Sequence, residues 1–409
     1  MVALKQDWRW TIALFCLALI VRFGFTFSVA HSPLKGVLGV RGDALRYQGL
    51  SLGLARENIY ITSWGYRAYR PPAFPFFLAA IFRLWGGANI ELIRIVQFLL
   101  GGFSVVFFYL AAKKLFGLKV SVLAGILIAF WPGLIYYSTQ LLSETLFIFL
   151  LSLFLYSFYC LQPPKPWYLF ALSGISLGLA ALCRPIMASF ALFLLFITVW
   201  PIRIFAFGKK YYIFYLFFLL TLVPWTARNY LVLDEFVLIS TNGGINFLFG
   251  NNELNQEGGG LFEKGPRYRP KESEVAEERA AWKAGLDWIK NNPYKFGRRF
   301  LLKIGRFWTP RPDYFSQRGS FGPYKKVVQN LLVVIHLPLF VFFIIGIICL
   351  FTRKVDKRAH LLWLIPFYFS IFHSFFFVLY RFRLPVEPLI IIVAAYGFWS
   401  LAHLVKARS

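Results

Sequence analysis

TIALFCLALIVRFGFTFSVA, residues 11–30, carries a single charge, Arg22. It is as long as the ~20 apolar residues a helix needs to cross a bilayer core. Lys5 and Arg9 precede it, as in a secretory leader. It is too long for a leader's apolar region and holds Arg22, so it reads as an uncleaved first span.

Similar runs follow at about 90–112, 118–138, 144–161, 167–183, 186–206, 211–231, 327–351, 359–380 and 384–404. Ten spans result, bounded by charges, Pro or Gly. The run 72–85 is too short to cross and opens with prolines, so it reads as a juxtamembrane helix. The expected fold class is an all-α polytopic membrane protein. Its expected parts are a module over 1–231, a long loop over 232–326, and closing spans over 327–409.

Composition agrees. Of 409 residues 58% are hydrophobic and 20% aromatic, with mean hydropathy +0.61; soluble domains of this size differ markedly. The net charge is +26, from 44 Lys and Arg against 18 Asp and Glu. No nucleic-acid motif accompanies it, and basic span ends facing the cytoplasm and anionic lipid account for it. Cys16, Cys160, Cys183 and Cys349 lie in apolar stretches without paired spacing and read as buried hydrophobes.

With the N-terminus inside, basic residues gather on the cytoplasmic segments: Lys113, Lys114 and Lys119; Lys165; Arg203, Lys209 and Lys210; Arg353, Lys354, Lys357 and Arg358; Lys406 and Arg408. The loop 31–71 disagrees. It lies outside, yet carries Lys35, Arg41, Arg46, Arg56, Arg67 and Arg70, so its charges need another purpose. The second outer loop holds a soluble helix near 274–291 and a basic amphipathic stretch, 294–308, suited to the interface.

Further charges sit at the outer ends of spans: Asp43, Glu144, Arg184, Arg228, Arg381 and Glu387, with Arg22, His336 and His373 slightly deeper. Ionisable groups at such depths are costly and point to function, although any one Arg is explained by snorkelling. Asp43, between Arg41 and Arg46, should stay ionised and suits a general base or a metal ligand; it equally suits a helix N-cap. Arg67 and Arg70, before Pro71 and Pro72, offer planar forks to phosphate or to lipid headgroups. Glu144 suits the first turn of a helix. Asn242 and Asn246, in a small polar loop, suit sugar hydroxyls or a simple turn. No Walker A, GxSxG or His/Cys cluster is present. Neither a metal nor another cofactor is expected.

In order, Arg41-Gly42-Asp43, Arg70-Pro71-Pro72, Leu142-Ser143-Glu144, Cys183-Arg184-Pro185 and Pro224-Trp225 through Arg228-Asn229-Tyr230 resemble the GT-C membrane glycosyltransferases. The likeness is to relatives of protein O-mannosyltransferases and of the lipid A aminoarabinose transferase. It implies an active site in the first outer loop (31–89), at the extracytoplasmic face of the cell membrane. It implies an inverting transfer from a polyprenyl-phosphate-linked sugar to a glycan, lipid or protein acceptor. By the same likeness Asp43 is the catalytic carboxylate and Glu144 an acidic neighbour. Donor phosphate falls to Arg70, Arg67, Arg184, Arg228 or Arg381. The motif has one Asp where some relatives have an acidic pair. A lipid-linked sugar flippase, an outer-face enzyme of another fold and a structural membrane protein are the alternatives. The structural alternative requires Asp43 and Glu144 to lie apart; the enzyme requires them together.

Overall fold

The computed structural model describes residues 2–32, 34–161, 166–199, 211–255, 258–259, 273–311 and 325–406. Lys165, Arg203, Lys209, Lys210 and Arg408, and the end of the sixth expected span, lie outside them. Among the described residues there are fifteen α-helices and no strand. They are α1 (Val2–Ala30), α2 (Asp43–Glu57), α3 (Ala73–Trp85), α4 (Ile90–Ala129), α5 (Pro132–Ser138), α6 (Glu144–Tyr159), α7 (Trp167–Cys183), α8 (Ile186–Val199), α9 (Tyr211–Leu233), α10 (Gly243–Gly250), α11 (Glu274–Asn291), α12 (Pro293–Phe307), α13 (Lys325–Thr352), α14 (Leu361–Phe375) and α15 (Glu387–Lys406).

Five helices are long and apolar enough to cross a bilayer, and α3, α6, α7 and most of α8 are shorter apolar helices. Large side chains such as Ile20, Leu192, Leu231 and Ile344 remain exposed on them. Water would not tolerate that belt, and lipid requires it. The chain is an integral membrane protein.

Two expected spans arise from one broken rod. As a straight helix α4 would run ~60 Å, twice the bilayer core. Gly117 breaks it with φ 79° and ψ −175°, a conformation that glycine adopts without a Cβ clash. The second leg stops at Ala129, and Trp131 turns extended before Pro132 opens α5. The expected single helix over 118–138 is therefore two pieces, with Trp131 taking the extended conformation that a following proline favours. The ninth span is likewise shorter than expected, ending at Phe375.

The core of the bundle is α15. Leu389 through Val393 are all fully buried, so this helix is enclosed on every side, by α13, α4 and α14. Gly346 on α13 and Gly397 on α15 let those two backbones touch, since a Cβ at either would collide with the other helix. The turn from α14 into α15 carries Arg381 and Arg383.

Candidate active site

Gly42, at φ 56°, is the N-cap of α2, and Asp43 is the first helical residue, with no capping bond from a side chain. The capping alternative for Asp43 falls. Its carboxylate turns instead to three guanidiniums. Arg70 Nη2 donates to Oδ1 at 2.8 Å and Arg381 Nη2 to Oδ2 at 2.8 Å, while Arg46 Nη1 stands 3.7 Å from Oδ1. Arg381 also reaches Glu144, with Nε 4.0 Å from Oε1, and Arg184 Nη2 pairs with that same oxygen at 2.8 Å. Asp43 and Glu144 thus share one arginine, and the requirement of a structural protein that they lie apart is not met. Burial alone would raise the Asp43 carboxyl. The Arg381 and Arg70 guanidiniums outweigh it and hold the group well below the usual carboxylate range. A divalent cation here would face those same guanidiniums, which disfavours the metal-ligand role.

Local structure aims each arginine. Arg70 lies over the rings of Tyr47 and Tyr69, at 5.1 and 5.6 Å, and its carbonyl accepts from the Tyr60 hydroxyl at 2.8 Å. Arg184 is the extended C-cap of α7, resting on the Phe147 ring at 5.3 Å. Arg381 sits on a short 3-10 turn. Its Nε is buried and makes no hydrogen bond among the described residues.

The second loop locks the first. Glu274, opening α11, accepts from the backbone N–H of Arg67 and, at 2.8 Å, from that of Ala68. Thr241 donates its hydroxyl to Glu274 at 3.1 Å and its backbone N–H to the Ala68 carbonyl at 3.0 Å. The Tyr66 hydroxyl donates to Glu277 at 2.6 Å. These acids were not singled out in the sequence, where they read as the polar face of a soluble helix.

The remaining expected residues take other places. Arg228 donates to the carbonyls of Arg67 and Tyr60, at 2.6 and 3.4 Å, and lies over Trp225, so it buttresses the loop. The Arg67 side chain is exposed. Asn242 is the N-cap of α10 and accepts from the Ser240 hydroxyl at 3.0 Å, with Asn246 one turn further on.

A family model described as dolichyl-phosphate-mannose-protein mannosyltransferase matches residues 69–227. That segment includes Arg70, Glu144 and Arg184. Among solved structures, the Archaeoglobus fulgidus oligosaccharyltransferase in its apo form aligns with TM-score 0.59 at 13% identity, covering 98% of this chain and 51% of that one. The same archaeal protein, AglB, in complex with an inhibitory peptide and a dolichol-phosphate, aligns with TM-score 0.52 at 13% identity over 98% and 51%. This chain has the GT-C membrane glycosyltransferase fold. It spans about half the length of the archaeal protein. ArnT from Cupriavidus metallidurans bound to undecaprenyl phosphate aligns at TM-score 0.41 and 13% identity, over 95% and 77%. No curated protein sequence matches the chain.

Two residues beyond Arg381, the chain builds a second ionic cluster. Arg383 Nε donates to Glu387 Oε1 at 3.0 Å, His336 Nε2 lies 3.3 Å from the same oxygen, and Trp131 donates its indole N–H to Glu387 Oε2 at 2.5 Å. Arg383 also donates to the carbonyls of Phe307 and Thr309, at 2.8 and 2.7 Å. It thereby fastens the end of α12 to the turn that carries Arg381. The side chains of Arg383, Glu387 and His336 are at most 1% exposed.

Proposed function

We propose that the chain is an inverting glycosyltransferase acting at the extracytoplasmic face of the cell membrane. It moves a hexosyl or pentosyl group from a polyprenyl-phosphate-linked donor to an acceptor hydroxyl or amine. The observation that carries this reading is Arg381, one guanidinium shared between Asp43 and Glu144.

In the reaction the acceptor oxygen or nitrogen attacks the anomeric carbon from the face opposite the phosphate. Its proton passes to Asp43, the bond from carbon to phosphate oxygen breaks, and the electron pair leaves with the phosphate. Arg70, Arg184 and Arg381 neutralise the departing charge. The charges balance. Three guanidiniums face Asp43, Glu144 and a monoanionic phosphodiester before transfer. Afterwards they face neutral Asp43, Glu144 and a dianionic phosphate.

A carboxylate held by two guanidiniums is a weak base. Donor phosphate resolves this, because it competes for Arg70 and Arg381. As they turn to it, Asp43 loses stabilisation of its ionised form and gains proton affinity when a base is needed. Arg228, committed to loop carbonyls, is left out of the phosphate set.

The test is sugar release from radiolabelled polyprenyl-phosphate sugars by the full chain in lipid nanodiscs. Transfer to water or acceptor by wild type, and not by Asp43→Asn, is expected. Movement of intact donor across the bilayer without cleavage, indifferent to Asp43, would establish the flippase instead.

A further inference from the structure

Trp64 stands in a turn that the backbone closes twice. Thr62 N–H donates to the Tyr66 carbonyl at 2.9 Å, and Gly65 N–H to the Thr62 carbonyl at 2.9 Å. Gly65 takes φ +89° to allow it. Tyr66 adds two ties: its N–H to Thr62 Oγ1 at 3.1 Å and its hydroxyl to Glu277. A turn tied at so many points holds its tip still, yet Trp64 is 50% exposed.

The surroundings of that ring lead back to the active site. The Arg46 guanidinium covers Trp64 at 4.6 Å from the ring centroid and lies 3.7 Å from Asp43. Tyr69 meets Trp64 edge-on, at 6.0 Å and 88°, while stacking on Tyr66 at 5.4 Å and 20°. Tyr69 in turn supports Arg70. A rigid indole, a tyrosine edge and a half-exposed guanidinium thus stand beside the carboxylate read as the base.

We propose that Trp64, with Arg46 over one face, binds a pyranose ring of the acceptor on its other face, so that the acceptor is a glycan or the headgroup of a glycolipid. A pyranose has an apolar C–H face and a rim of hydroxyls. The C–H face matches the electron-rich face of an indole. The rim matches Arg46, a donor with no lone pair to repel the hydroxyl oxygens. The order Trp64, Arg46, Asp43 then sets one rim hydroxyl toward the base. Anchoring in lipid is the other common use of an exposed tryptophan. Here the turn is bound to α11, a helix with charged residues along it, and the ring itself is covered by Arg46 and met by Tyr69.

This rests on the glycosyltransferase reading only for the role of Asp43, and the experiment separates the two. Full-length protein in nanodiscs is probed by saturation-transfer NMR with methyl glycosides and disaccharides of gluco, galacto and manno configuration. Binding of polyprenyl phosphate is titrated in parallel. Saturation of ring C–H protons is expected with wild type and Trp64→Phe. It should fall about two- to tenfold in Trp64→Leu, which keeps apolar bulk without a π face. Polyprenyl phosphate should bind all three alike. Equal saturation in wild type and Trp64→Leu overturns the platform, as does saturation seen only with serine- or threonine-containing peptides. Failure of polyprenyl phosphate to bind wild type would count against the donor reading while leaving the sugar result standing.

Discussion

Two arginine–carboxylate clusters lie within a few residues of each other, and they are built on opposite principles. The one around Arg383 and Glu387 is closed. Its carboxylate oxygens are matched by Arg383, His336 and Trp131, its guanidinium is further engaged by two carbonyls, and solvent is excluded. The one around Arg381 and Asp43 is open. Its guanidiniums outnumber its carboxylates, Asp43 and Arg381 are each about a fifth exposed, and Arg381 Nε is unsatisfied. A saturated cluster holds helices together; a cluster short of negative charge is where the proposed function seats the donor phosphate.

The sharpest way to break this contrast is Asp43→Asn. Turnover should fall by about 10²–10⁴ if Asp43 is the base, with some drop in thermal midpoint but the chain still folded at the assay temperature. Unfolding at the assay temperature would make the open cluster structural too. Next is Arg383→Met, which strands Glu387 in the core and should cost about 3–5 kcal/mol. Detergent-resistant melting should drop, and Arg383→Met with Glu387→Leu should recover most of the loss. Equal melting of all three proteins would mean the closed cluster holds nothing.

A finer test is Arg381→Lys, which keeps the charge and loses the planar fork. Donor affinity should fall about tenfold. Asp43 also loses part of what depresses its pKa, so kcat/KM should gain an acid limb as pH falls, where wild type is flat. The smallest effect per pH unit concerns Lys303, a cation in α12 that donates to Gly250 O and Asn251 Oδ1 and has no carboxylate partner among the described residues. Burial, helped by Arg299, lowers its pKa to about 7 from 10.5. Between those values the unfolded chain holds the extra proton. Stability should therefore rise with pH across that window, by less than ~1.4 kcal/mol per unit, and level off at its lower value below about 7. Lys303→Met should flatten the slope seen in chemical denaturation.

Much of this architecture is legible in the sequence because lipid is a strict solvent. A run such as 11–30 or 384–404 has few other fates, and the helices α3, α11 and α12 sit where composition places them. Asp43, Glu144 and Arg184 stand out for the same reason, as charges where charge is costly, and Arg70 as a basic residue on the side the positive-inside preference disfavours. What sequence does not reveal is pairing. Arg381 and Arg383 look alike in Arg-Phe-Arg, yet a 3-10 turn sends one to Asp43 and the other to Glu387. Arg228 resembles a phosphate ligand until Tyr60 and Arg67 offer it carbonyls. Glu274 and Glu277 are hidden because helix periodicity gives a polar face no hint of which backbone will dock on it. The break at Trp131-Pro132 is the reverse case, a local signal overlooked inside a long apolar run.

The bond between Asp43 and Arg381 spans 338 residues of sequence. At typical elongation rates, roughly 20–70 s separate their emergence from the ribosome. Throughout that interval the early membrane segments already carry Asp43, Arg46 and Arg70, but not the arginine that ties Asp43 to Glu144. The tie closes only with the turn into α15, so the pairing of Asp43 with Arg381 itself reports that the final helix has found its place.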